Sequence, residues 1–362
     1  MNLNIFNGAK IVVTGHTGFK GSWLSLWLAE LGAQVHGISV SIPTTPSHFE
    51  AVSLEGVVHD HRLNILDASA LKDLLVTIEP DFVFHLAAQA LVKESYLNPL
   101  DTLLTNIIGT ANILDGLRAL TTPCTAIMIT SDKCYDNVEW VWGYRETDAL
   151  GGPDPYSASK GAAELAIRSY VKSFFPKDGN IKVGIGRAGN VIGGGDWASD
   201  RIVPDCVKAW STGGCVELRN PLATRPWQHV LEPLSGYLNL AMALGKNSDL
   251  HGQPFNFGPI DQQNHPVQSL VQEMSKHWEK VKWADVSAQY GGPYESNLLK
   301  LNCDKANHYL KWRSVWDFET TVKETSTWYK TFYENKMSPQ YSLSQIKLFM
   351  EDAKAKGLDW AK

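Results

Sequence analysis

Tyr156-Ser157-Ala158-Ser159-Lys160 places a phenol and an amine four residues apart. On a helix that spacing puts both on one face. A free tyrosine is a poor base, with a pKa near about 10. A nearby ammonium, together with a positive nicotinamide, favours the phenolate and lowers that value. Tyr156 could then take a proton from a hydroxyl while hydride leaves the same carbon, and Lys160 could hold the hydride acceptor. Alone, the spacing is common on any helix.

An upstream string makes it informative: Thr14-Gly15-His16-Thr17-Gly18-Phe19-Lys20-Gly21. Gly15 permits a tight turn, Gly18 lets the backbone approach a pyrophosphate, and Gly21 lets a helix pack against its strand. The helix N-terminus then offers unpaired amides and a positive dipole end to the phosphates. Thr17, Phe19 and Lys20 are candidate contacts in the same turn. After the second strand a ribose-binding acid is expected. The segment reads Ser39-Val40-Ser41-Ile42-Pro43, with neither acid nor arginine. The missing base favours NAD over NADP. Asn64 and Ile65 either flank the adenine or form an ordinary strand end.

A third element is Ser131-Asp132-Lys133-Cys134-Tyr135, which follows an apolar run. Ligands bind at the carboxyl ends of strands in open α/β sheets. Ser131 can hydrogen-bond a reacting oxygen together with Tyr156. Asp132 and Lys133 set an acid beside a base, more than a simple dehydrogenase needs; a solvated Asp-Lys turn is the other reading.

The elements that must position these groups are legible as alternating strands and helices. Strands are expected at Lys10 to Thr14, Gln34 to Val40, Phe82 to Leu86, Thr125 to Thr130 and Lys182 to Arg187. Helices are expected at Ser22 to Leu31, stopped by Gly32, at Leu71 to Ile78, at Leu103 to Leu120, and from Tyr156 to about Phe175. The alternation predicts an α/β fold with a doubly wound parallel (Rossmann) sheet over residues 1–187. A smaller mixed α/β substrate lobe is expected over 188–335, with returns to the first lobe at about 230–258. Residues 336–362 are expected to form a helical tail, as a surface helix or packing arm.

The 362 residues are 44% hydrophobic and 20% charged, and the formal charge is -5. That balance carries no basic footprint for nucleic acid. Any anionic ligand must meet a few placed arginines or amides. The five cysteines are scattered without a Cys-x-x-Cys pair, which reads as reduced thiols in a cytoplasmic protein, with neither zinc nor disulfides. No apolar run nears the about 20 residues of a membrane span. The start Met1-Asn2-Leu3-Asn4 lacks the features of a signal peptide.

Together these residues resemble the extended short-chain dehydrogenase/reductase family. Within it they look like the CDP-glucose 4,6-dehydratase branch. The likeness runs over roughly residues 5 to 335. Besides the glycine string, it is carried by His85-Leu86-Ala87-Ala88-Gln89, Thr130 to Asn137, Trp140 to Glu146, Arg187 to Trp197 and Arg225 to Leu234. Relatives acting on dTDP-glucose and GDP-mannose have glutamate where Lys133 stands.

The resemblance implies a lyase that oxidises C4 of CDP-glucose, eliminates water across C5 and C6, and returns hydride to C6 through bound NAD, in deoxysugar and lipopolysaccharide biosynthesis. It implies Tyr156 as the C4 base, Lys133 as the C5 base and Asp132 as the C6 acid, with Ser131 and Lys160 in support. Leu86, Ala87, Ala88 and Asn106 join the cofactor set; Gln89, Arg187, Asn190 and Arg225 form the substrate set, with Arg225 as a phosphate clamp. Trp140, Trp142 and Trp197 are expected to pack, not to stack on substrate. The resemblance also implies a homodimer paired through helices at about 97 to 120 and 156 to 175. The other readings are a different nucleotide-sugar 4,6-dehydratase, a 4-epimerase or dehydrogenase of the same fold, and a non-catalytic dinucleotide sensor.

Overall fold

The computed structural model describes residues 3–259, 265–279, 281–289, 298–336 and 338–362. Met1 and Asn2 of the opening segment therefore lie outside the described residues.

Seven parallel strands form the central sheet. In spatial order they are Pro254–Phe257, Ile181–Ala188, Cys124–Ile129, Phe82–His85, Lys10–Thr14, Gln34–Ser39 and His59–Arg62. The inner strands are nearly all apolar because helices cover both faces. Phe19–Glu30 and Leu231–Leu244 contribute to the core on one face; Ala68–Ile78, Gly109–Leu117 and Pro155–Phe174 pack on the other. The helix Leu231–Leu244 is buried along its whole length. The strand Pro254–Phe257 pairs with Ile181–Ala188, so the chain returns to the sheet after its first excursion.

Two elements depart from the pattern read in the sequence. His59–Arg62 is an edge strand of sequence His-Asp-His-Arg; an edge can carry charge, so it gives no apolar run to find. The expected helix from Leu103 to Leu120 is three pieces: Pro99–Leu103, a π-turn at Leu104–Ile108, and Gly109–Leu117. The widened turn holds Asn106, which is buried. Such turns often mark functional positions.

After Ala188 the described strands outside the central sheet form short pairs. Val191–Ile192 lies beside Gln228–His229, Thr224–Arg225 beside His265–Pro266, and Val216–Leu218 beside Trp283–Asp285. Trp197 is buried as expected, but Trp142 is 70% exposed. It projects from the loop after the Ser131 turn instead of packing.

The tail helix Pro339–Ala355 is not a loose arm. Ile346, Phe349 and Ala353 are buried, and Phe349 meets Trp27 and Trp316 edge-on. His48 lies between Ser22 and Ser342, with ring nitrogens 2.9 and 3.2 Å from their hydroxyls.

Burial lowers the pKa of His48, His85 and His229 to about 3. The unfolded chain takes up these protons near about pH 6.5. Their contribution is therefore complete above that pH and is lost as pH falls toward 3. Buried Glu232, raised to about 8, acts in the opposite sense, adding stability as pH falls from 8 toward its ordinary value. Three groups outweigh one below pH 6.5. The urea midpoint is expected to fall between pH 6.5 and pH 4.5, and denaturation followed by tryptophan fluorescence checks this.

Candidate active site

The first strand ends at Thr14, and the chain turns through Gly15 with φ +75. A Cβ at Gly15 would stand 2.8 Å from the Ala87 amide, and one at Gly21 would stand 2.1 Å from the Gly15 carbonyl. Neither position has room for a side chain. Around Gly18 a Cβ would meet only the turn's own carbonyl, at 3.3 Å, so the outer face of the turn is open. Gly18 caps the helix Phe19–Glu30 without a side-chain hydrogen bond, which leaves first-turn amides for a ligand. Thr17 Oγ1 donates to the Ser41 carbonyl at 2.8 Å and ties the turn to the loop after the second strand. These features fit a dinucleotide whose pyrophosphate rests on Gly15 to Gly21.

Leu86 and Ala87 continue the same edge: the Leu86 amide donates to the Thr14 carbonyl, and the Ala87 amide to Thr14 Oγ1 at 3.1 Å. Ala88 follows. Asn64 is exposed, and its side chain accepts from the Leu66 amide. Ile65 is buried against Gly109. Lys20 does not reach outward: its Nζ donates to Tyr237 Oη at 3.1 Å. Burial first, then the charge of Lys160, lower its pKa to about 7.

At the end of Cys124–Ile129 the chain enters a short 3-10 turn, Asp132–Cys134, capped by Ser131, whose Oγ accepts from the Lys133 amide at 3.3 Å. Ser131 Oγ donates to Asp132 Oδ1 at 2.9 Å. Asp132 is 2% exposed, and its Oδ2 has no hydrogen-bond partner among the described residues. A buried carboxylate oxygen left unpaired is costly. The lack of a Cβ at Gly189 makes room for it, since a Cβ there would lie 1.8 Å from Oδ2. Lys133 is half-buried in the same turn.

Tyr156 and Lys160 lie in the helix Pro155–Phe174, which Asp154 caps and Pro155 opens. Both are buried, and the Lys160 ammonium is 5.9 Å from the Tyr156 ring centroid. The Ser131 hydroxyl acts on the Tyr156 phenol, favouring its ionised form. The lysine by itself does not bring the tyrosine down. Burial pushes Tyr156 up to about 12, with the Asp132 charge adding and the Ser131 hydrogen bond opposing. Burial also lowers Lys160 to about 8. Low polarity around both groups outweighs their attraction.

Two residues expected to bind substrate have other work. Arg187 is 2% exposed. Its Nε and Nη2 donate to the two oxygens of Glu164 at 2.8 and 2.9 Å, and Nη1 to Tyr135 Oη and the Glu146 carbonyl. Glu164 also accepts from Thr130 Oγ1 at 2.5 Å. Arg187 thus fastens the Tyr156 helix to the strand ends beside Ser131. Gln89 is similarly engaged: its side chain bonds Leu91 and Thr102. Asn106 grips the Gln89 backbone through both amide atoms and reaches Ser159 Oγ at 2.8 Å. It orients backbone next to the catalytic helix.

Asn190 sits with φ +48, its carbonyl accepting from the Gln228 amide. Arg225 is half-buried opposite His265, and its Nη1 donates to the Thr224 carbonyl at 2.9 Å. Sequence reasoning missed Arg201 and Tyr237. Arg201 pairs with Asp196 at 2.7 Å, and its charge acts on Tyr156; Tyr237 binds Lys20 and feels Asp132. Its helix also carries Glu232, Ser235 and Asn239, so Tyr237 gave no signal of its own in the sequence. A concavity of about 620 Å³ lined by Asn7, Asp81 and Lys182 opens at the N-terminal edge of the strands, opposite these groups.

The family model described as GDP-mannose 4,6 dehydratase matches residues 12–325. The chain belongs to that family. Among curated members and relatives, it is 44% identical to the CDP-glucose 4,6-dehydratase of Salmonella typhimurium over 334 residues, covering 91% of this chain and 92% of that one. It is 24% identical to the UDP-glucose 4-epimerase of Mycoplasma pneumoniae, covering 90% and 98%. Among solved structures, the fold is similar to a dTDP-glucose 4,6-dehydratase from Bacillus anthracis in complex with NAD, with TM-score 0.72, 18% identity, and coverage of 90% and 98%. A UDP-glucose 4-epimerase from Thermotoga maritima gives TM-score 0.74 at 21% identity, covering 89% and 99%.

Proposed function

We propose that the chain is a CDP-glucose 4,6-dehydratase, converting CDP-D-glucose to CDP-4-keto-6-deoxy-D-glucose with NAD as a resident cofactor. The observation that carries this reading is the buried Asp132 carboxyl group on the Ser131 turn, whose Oδ2 has no hydrogen-bond partner among the described residues. A dehydrogenase needs one proton acceptor there; an eliminating enzyme needs an acid as well. The 44% identity to a protein of that name supports the choice of substrate.

The turn Gly15 to Gly21 and Lys160 would hold the dinucleotide, which when bound supplies the acceptor for the C4 hydride and its return to C6. Tyr156 takes the C4 hydroxyl proton, and Ser131 hydrogen-bonds the same oxygen. The positive charges of Lys160 and of the bound cofactor bring the phenol down from its cofactor-free value. A ketone at C4 acidifies the C5 proton, which Lys133 removes. Asp132 protonates the C6 hydroxyl as it departs. Arg225 and Asn190 are the candidates for the diphosphate end.

The test is incubation of purified protein and NAD with CDP-, dTDP-, UDP- and GDP-sugars, with products weighed by mass spectrometry. The reading expects loss of one water from CDP-glucose without net reduction of NAD. An isomer of unchanged mass would replace it with a 4-epimerase, and net formation of NADH with a dehydrogenase.

The reading includes a homodimer in the cytoplasm. Leu97, Leu100, Leu104 and Ile108 recur at helical spacing and are exposed, and Leu165 is exposed on the catalytic helix. Such a stripe fits a second copy of the same face. Among the described residues no helix is long and apolar enough to cross a membrane. Leu100→Glu is expected to convert the dimer to a monomer, as read by sedimentation velocity.

A further inference from the structure

Asp132 and Lys133 sit on a turn that its own hydrogen bonds hold weakly. The Cys134 amide donates to the Ser131 carbonyl at 3.2 Å, the Tyr135 amide to the Asp132 carbonyl at 3.3 Å, and the Lys133 amide to Ser131 Oγ at 3.3 Å. All three are longer than the about 2.9–3.0 Å typical of an N–H···O bond. An acid and a base that must meet neighbouring carbons of one sugar need firmer support than that.

The support lies at the two feet of the turn, and both stand on one buried ion pair. Upstream, Thr130 Oγ1 donates to Glu164 Oε1 at 2.5 Å. Downstream, Arg187 Nη1 donates to Tyr135 Oη at 2.7 Å. Arg187 also grips both Glu164 oxygens, and its guanidinium lies over the Tyr135 ring, 4.8 Å from the centroid. The chain from Thr130 to Tyr135 thus closes a ring through Glu164 and Arg187, with Asp132 and Lys133 on its arch.

The Tyr135 hydroxyl is fully engaged. Besides accepting from Arg187, it donates at 2.7 Å to Oδ1 of Asn256, the residue opposite Arg187 in the sheet. Tyr135 is 1% exposed. Burial holds its phenol well above the ordinary tyrosine value, with Arg187 opposing, so it keeps the proton that it donates. The Cys134 carbonyl also accepts from the Gly151 amide, so losing one foot would loosen the arch without undoing it.

Granted the dehydratase reading above, we propose that Tyr135 is a positioning residue for the elimination step. Its hydroxyl, held by Arg187 and Asn256, sets where Asp132 and Lys133 meet C6 and C5. Oxidation at C4 is aimed by a different element, the helix Pro155–Phe174 that carries Tyr156 and Lys160. Ser131 stands beside the Thr130 foot. Loss of the Tyr135 hydroxyl therefore separates the two halves of the reaction.

The experiment times two reactions of Tyr135→Phe, which keeps the ring, in enzyme loaded with NAD. CDP-6-deoxy-glucose has no C6 hydroxyl to lose, so its C4 oxidation is seen alone as NADH absorbance. CDP-glucose gives the whole reaction, followed by mass as dehydrated product. C4 oxidation is expected to stay within about twofold of wild type while product formation slows about 10- to 100-fold, the scale of a catalytic group displaced by about 1 Å. The quotient of the two rates does not depend on how much of the protein is folded, so a merely structural role would not move it. If both rates fall together, or neither falls, the proposal is overturned.

Tyr144→Phe is the control. Tyr144 is buried and stacks on Tyr135, but its hydroxyl bonds Asn137 and the Val138 amide instead of the ion pair. It is expected to lower the urea midpoint as Tyr135→Phe does and to leave the quotient at the wild-type value. A quotient moved equally by both variants would mean general loosening of the loop and would also sink the proposal. Wild-type protein that reduces NAD with the deoxy sugar but never dehydrates CDP-glucose would overturn the function and this role together. A wild type that dehydrates, beside a Tyr135→Phe with an unchanged quotient, overturns the role alone.

Discussion

Arg187→Ala is expected to cost about 3–5 kcal/mol of folding stability, because it strands a buried carboxylate. Glu164 is 3% exposed and would keep only its bond from Thr130. Urea denaturation measures the loss. The double variant Arg187→Met with Glu164→Leu removes both charges and should recover most of it, because a buried ion pair and an apolar pair of similar volume are close in energy. Activity should fall with the single variant, since Glu164 shares a helix with Tyr156 and Lys160. A variant of native stability with a raised KM for the nucleotide sugar would instead make Arg187 a substrate clamp.

Asp132→Asn is expected to lower kcat by about 100- to 10,000-fold, the range for losing a general acid. The replacement has the same shape and cannot donate a carboxyl proton. Stability should change little or rise, because the variant removes an unsatisfied buried charge. Chemistry at C4 does not use this group, so exchange between C4-labelled substrate and the cofactor should persist while product formation stops. Equal loss of both would place Asp132 in binding instead of elimination.

The sheet was legible because each inner strand is an apolar run that ends in small or polar residues, a pattern set by helices on both faces. The edge strand His59–Arg62 was not, since half of its pairing surface faces water and nothing forces apolar residues there. The candidate catalytic groups were legible as types at fixed spacing: a phenol and an amine one helical turn apart, and an acid beside a base after a strand. Burial was not. The resemblance offers Arg187 and Gln89 as ligand contacts, yet the partners that engage them, Glu164 and Thr102, come from other elements. The upward pull of burial on Tyr156 was hidden for the same reason: composition names the charges near a group but not how far water is excluded from it.

The match to the family model ends at residue 325, well short of the last helix. Phe349 nevertheless fills the space between Trp27 and Trp316, and Ser342 completes the pairing of His48 behind the nucleotide turn. The end of that match is therefore not the limit of the cooperative unit. A chain trimmed to it would bare two indole rings and slacken the scaffold behind the glycine turn.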